Sequence, residues 1–179
     1  MKAFAELFLR LDETNKTSGK INALKAYFQA VPNDDKMNML ALFTGRKPKR
    51  PINSTLLKEW ALEMTDIPHW LFRESYDVVG DLAETLALLL PPATTSLQKT
   101  LSEWIGEIND IAAKDERLKK QWLQDSLNGM EQQERFVFFK ILTSSFRVGV
   151  SQNLVIKALS EISDIDASVI THRLKGNWS

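Results

Sequence analysis

Cysteine is absent from the 179-residue chain, which excludes disulfides, thiolate zinc sites and a cysteine nucleophile. Histidine occurs only at His69 and His172, leaving little from which to build a metal centre. There is no excess of either charge: Lys plus Arg and Asp plus Glu both number 23. A histone-like polycation is thereby excluded, and any anion-binding surface has to come from how charges are distributed. No long apolar run exists; the longest, residues 86–92, is too short to cross a bilayer. The opening MKAFAELFLRLDE scatters its charges among apolar residues, which fits neither a signal peptide nor a span. A soluble cytoplasmic protein is expected. Phosphate-loop, nucleophile-elbow and His-Glu-x-x-His patterns are all missing, so no catalytic residue and no metal ligand is assigned.

Glycine and proline are scarce, at seven and six, and alternating β-branched stretches are nearly absent. Apolar residues recur instead at three- and four-residue spacing, the period of an amphipathic helix. Phe4, Leu7, Phe8 and Leu11 make one stripe. Ser18 precedes a second through Ile21, Leu24, Tyr27, Phe28 and Val31, closed by Pro32. A third, opened by Asn33 or Asp34, runs to Gly45. Asn53 or Ser54 caps a fourth carrying Leu56, Leu57, Trp60 and Met64. A short helix follows Pro68, and residues 80–90 read as a buried helix stopped by two prolines. The second half repeats the pattern over 101–111, 118–127, 136–142, 154–162 and 167–174. The five tryptophans (60, 70, 104, 122 and 178) read as core or interface residues. The chain reads as all-α, with ten or eleven helices in one domain over 1–179.

Residues 91–96 form the best candidate linker, between halves at about 1–90 and 97–179. The halves resemble each other. An offset of 99 carries Lys20, Leu24, Phe28, Phe43 and Thr44 onto Lys119, Leu123, Leu127, Leu142 and Thr143. An offset of 98 carries Leu56, Leu57, Met64, Asp66 and Ile67 onto Leu154, Val155, Ile162, Asp164 and Ile165. The change of offset falls in a loop, and two pseudo-symmetric halves are expected.

Four of the five residues Arg46, Lys47, Pro48, Lys49 and Arg50 are cationic, in a chain of no net charge. Packing requires no such concentration; a polyanion site and a solvated connector are the two readings. The corresponding loop of the second half carries Arg147 and Gly149 ahead of Ser151, Gln152 and Asn153, which open a helix. Its first amides and dipole favour phosphate, with Arg147 as a bidentate partner; an ordinary capped helix start is the other reading. A third polar, basic loop, residues 14–20, also opens a helix. Such loops fit backbone and groove shape rather than base sequence.

Residues 146–155, Phe-Arg-Val-Gly-Val-Ser-Gln-Asn-Leu-Val, resemble a segment of the N-terminal DNA-binding domain of ATP-dependent DNA ligases. Gly80-Asp81 is similar to that domain's Gly-Asp signature. The opening helix running into Thr17-Ser18-Gly19-Lys20, and Leu42-Phe43-Thr44-Gly45-Arg46, also fit it in order and spacing. The compact first loop, Gly-Arg-Lys-Pro, looks most like the bacterial members. The resemblance implies an internally pseudo-symmetric helical domain gripping the minor groove of nicked double-stranded DNA. It implies contacts from Thr17, Ser18, Lys20, Gly45, Arg46, Lys47, Arg147, Gly149 and Ser151; charge and helix-end position add Lys49, Arg50, Gln152 and Asn153. It further implies a monomer, cytoplasmic and nucleoid-associated, that serves replication, repair or recombination. The nucleophilic lysine of such ligases sits in Lys-x-Asp-Gly, and no Lys-x-Asp-Gly occurs in this sequence. The adenylation and OB-fold domains, with their ATP and Mg²⁺, are therefore expected elsewhere in the same polypeptide. The alternative is a helical scaffold or protein-interaction module without DNA affinity.

Overall fold

A computed structural model describes residues 1–144, 146 and 149–175. The fold is all-α and 70% helical, with eleven helices and no strand among the described residues. The helices are α1 (Lys2–Glu13), α2 (Thr17–Ala30), α3 (Asn33–Phe43), α4 (Ser54–Leu62), α5 (His69–Val79), α6 (Leu82–Leu89), α7 (Leu101–Ile111), α8 (Glu116–Asn128), α9 (Gln132–Leu142), α10 (Gln152–Ser163) and α11 (Ala167–Lys175).

Their ends follow from side-chain chemistry. Asn53, Asp81, Asp115 and Ser151 each stand just before a helix and accept a hydrogen bond from a first-turn amide. Thr100 and Glu103 form a reciprocal capping box at α7. Gly80, at φ +76°, ends α5 in the left-handed conformation that glycine enters without a Cβ penalty. Some boundaries differ from the periodicity. Pro32, not Asn33 or Asp34, precedes α3, and no side chain caps it. The second helix begins at Thr17 rather than after Ser18. α8 and α9 start upstream of Leu118 and Phe136, because polar first turns carry no apolar stripe to mark them.

The chain divides into two compact units, and not at residues 91–96. One comprises Met1–Ala5 and Lys47–Phe146; the other comprises Glu6–Arg46 and Arg147–Ser179. Residues 91–96, read as a linker, belong inside the first unit. Buried Arg135 donates to the Pro91 carbonyl at 2.7 Å, and Leu97 N–H donates to the Gly129 carbonyl at 2.9 Å. A Cβ at Gly129 would lie 2.3 Å from Leu97 Cγ. Gly129→Ala should therefore overpack this turn and cost about 1–3 kcal/mol in urea denaturation.

In the first unit α9 is the central element. Val137, Phe138, Phe139, Ile141 and Leu142 are buried, so its exposure to water is minimal. Phe138 meets Trp104 edge-on at 5.3 Å and Trp122 at 5.6 Å. α9 packs on α6, α4 on α6 and α8, and α5 on α6. In the second unit α10 packs on α2 and α11; Leu24, Phe28, Val155 and Ala158 are buried there. The Lys25–Glu161 ion pair, at 3.2 Å, joins α2 to α10. Trp60 and Trp104 are core residues as expected, whereas Trp70 is 62% exposed on α5. Trp178 lies outside the described residues. No described helix is long and apolar enough to cross a membrane.

Candidate nucleic-acid interface

In the second unit, the first turn of α2 meets the loop that leads into α10. Thr17 and Ser18 are the first two residues of α2 and are exposed. Lys16 precedes them in extended conformation and its side chain makes no capping hydrogen bond, so the opening amides of α2 lack an N-cap acceptor at that position. Gly19 packs so closely on Thr14 that a Cβ would fall 2.7 Å from the Thr14 hydroxyl. One residue on, Lys20 Nζ donates to the Gly149 carbonyl at 2.9 Å. That bond uses one of three ammonium donors. Gly149 adopts φ +58°, and two residues later Ser151 caps α10 by accepting from Leu154 N–H at 3.3 Å. Gln152 and Asn153 open α10 and are exposed. The structure thus brings Thr17, Ser18, Lys20, Gly149, Ser151, Gln152 and Asn153 into one neighbourhood. Arg147 lies outside the described residues.

The first basic loop begins in this unit and continues in the other. Thr44 closes α3 by donating its hydroxyl to the Leu40 carbonyl at 2.8 Å. Gly45, at φ +87°, turns the chain, and Arg46 N–H returns to the Ala41 carbonyl at 2.8 Å. Within the first unit, Lys47 Nζ donates to the Ser144 carbonyl at 3.0 Å. Lys49 N–H donates to Asn109 Oδ1 at 3.3 Å, and the Arg50 guanidinium donates to the Ser54 hydroxyl at the start of α4. Arg46, Lys47, Lys49 and Arg50 are all exposed. In the first unit, the backbone carrying Lys47, Lys49 and Arg50 is tied down at Lys49 N–H.

Positions related by the two offsets share local geometry. Thr143 closes α9 as Thr44 closes α3, its hydroxyl reaching the Phe139 carbonyl at 2.8 Å. The next residues, Gly45 and Ser144, both have positive φ, at 87° and 54°. Asn53 and Ser151, 98 apart, are both side-chain caps. The boundary between units falls at corresponding loops too, after Arg46 and after Phe146.

Two participants carry no sequence signal. Asn109 is a polar position within α7 and Ser144 acts through its carbonyl; each matters only through its hydrogen bond. Gly80-Asp81 proves to be structural. Asp81 caps α6, accepting from Glu84 N–H at 2.9 Å, and forms an ion pair with Lys140 of α9. Burial works against ionisation of Asp81, but the Lys140 contact and the Glu84 and Ala83 amides outweigh it and hold the carboxyl below its usual range. A depressed native pKa contributes stability that is complete above the unfolded carboxylate value near ~3.9 and is lost as pH falls through the native value. Lys140→Met should accordingly lower stability by roughly 1 kcal/mol at neutral pH. The difference from the parent chain should shrink in urea denaturation as the pH is lowered and Asp81 protonates in the folded state.

The chain matches the family model described as DNA ligase N terminus over residues 1–160. It belongs to that family, the N-terminal domain of ATP-dependent DNA ligases. No curated protein matches it. The residues present do not fit the adenylating chemistry of such enzymes. The sequence has no Lys-x-Asp-Gly, and no group of three or more His, Asp or Glu among the described residues could hold a metal ion.

Proposed function

We propose that this chain is the part of an ATP-dependent DNA ligase that holds double-stranded DNA at a nick, while the adenylation and OB-fold domains of the same polypeptide seal it. The carrying observation is the exposure of four cations close together in the chain, Arg46, Lys47, Lys49 and Arg50. In the second unit, Lys20 and Gly149 join the opening of α2 to that of α10. Uncapped opening amides there, with the neighbouring lysine, suit backbone phosphate. Arg147, one position from Phe146 and two from Gly149 in sequence, is proposed as a further phosphate ligand. Nothing in this set offers a long helix of base-reading side chains, so the grip is on backbone and groove shape.

ATP and Mg²⁺ belong to the other domains, and the isolated chain is expected neither to bind AMP covalently nor to join DNA ends. A monomer acting in replication, repair or recombination of a bacterial nucleoid completes the reading. The test is titration of a labelled nicked duplex at salt from about 50 to about 200 mM, with log Kd rising linearly with log salt as counterions are released. Absent or salt-insensitive binding would favour a helical scaffold instead.

A further inference from the structure

Beyond the basic loop, the first unit carries an open groove of about 490 Å³ along α4 and α5. It is lined by Lys58, His69 and Arg73, the hydroxyls of Ser54 and Thr55, and the rings of Phe72 and Tyr76; no carboxylate lines it. Five ion pairs occur elsewhere among the described residues, and none involves Lys58 or Arg73. Lys58 Nζ instead lies 6.0 Å from the centre of the Phe72 ring. Phe72 and Tyr76 stack nearly parallel, at 6.1 Å and 6°. Phe72 is buried and Tyr76 is 39% exposed, so Tyr76 presents a flat aromatic surface backed by a second ring.

Converging unpaired cations suit a phosphate, and a supported aromatic face suits a base. An acidic peptide would satisfy the cations but leave the Tyr76 face unused. We infer that this groove takes an unpaired nucleic-acid strand, one phosphate against Lys58 and Arg73 and the adjoining base stacked on Tyr76. The groove is reached from the basic loop through the Arg50–Ser54 hydrogen bond, yet it needs neither a nick nor a duplex.

Fluorescence anisotropy of a labelled oligothymidylate of about 12 nucleotides, with the whole 179-residue chain at about 50 mM salt, tests the inference. Lys58→Glu with Arg73→Glu should weaken binding tenfold or more, and Tyr76→Ala about tenfold. Tyr76→Phe should retain binding, which separates loss of stacking from loss of fold, and circular dichroism of each variant checks folding. An abasic chain of equal length should bind about as weakly to the parent as the oligothymidylate does to Tyr76→Ala. Unchanged affinity in the folded charge variants would overturn the proposal. So would equal competition by polyglutamate, or binding of free AMP or ATP as tight as that of the oligomer, which would make the groove a mononucleotide site. The same variants titrated with nicked duplex separate the two readings. Oligomer binding that depends on Tyr76 in a chain that ignores the duplex leaves the groove standing and removes the duplex grip.

Discussion

Replacing Arg46, Lys47, Lys49 and Arg50 together by alanine is expected to reduce affinity for nicked duplex on the order of a hundredfold at low salt. The slope of log Kd against log salt should fall by about three to four, since each neutralised phosphate contributes about 0.9. These side chains are exposed, and none of the backbone bonds that shape the loop uses them: Arg46 N–H to Ala41, and Lys49 N–H to Asn109. Lys47 and Arg50 each spend a side-chain donor within the protein, on the Ser144 carbonyl and the Ser54 hydroxyl. Surface bonds of that kind contribute little to stability. Melting temperature should therefore stay within a few degrees of the parent while the salt slope flattens. A variant that keeps the full slope would take the DNA contact away from this loop.

Phe138→Ala is expected to be the most damaging single core change, at about 3–5 kcal/mol. Phe138 is fully buried, and the Trp104 and Trp122 rings rest on it at 5.3 and 5.6 Å. Two indoles cannot collapse into the space a phenyl leaves without giving up their own contacts, with α7 and α8 behind them. Trp104 is itself wholly buried. In a chain of this length the loss should appear as a fall of about 10 °C in melting temperature. Phe138→Leu, which keeps most of the apolar volume, should lose less than half as much.

Helix content was legible because packing imposes a 3.6-residue period on apolar residues, as in α2 with Leu24, Tyr27 and Phe28. Helix starts were less so. Gln132 and Glu131 open α9 with polar residues, and Pro32 precedes α3 without a side-chain cap, so apolar spacing misses both. The basic cluster at 46–50 and the helix start at Ser151 were visible as residue types. What sequence could not show was which backbone carbonyls the lysines would meet: Lys20 finds Gly149, 129 positions away, and Lys47 finds Ser144, 97 positions away. Gly80-Asp81 carried the opposite lesson. A motif that reads as a signature is accounted for by a left-handed turn, a cap and an ion pair with Lys140, all inside the fold.

The second unit is stitched from two stretches of chain separated by the whole of Lys47–Phe146. During synthesis, α2 leaves the ribosome with its apolar face bare, because its partner α10 begins 122 codons after α2 ends. At translation speeds of about 5–20 residues per second, that wait lasts roughly 6 to 24 seconds. The intervening stretch can close around α9 in the meantime, so the order of assembly on the ribosome should be inside-out, and a nascent chain halted before α10 should present Leu24 and Phe28 to chaperones and proteases.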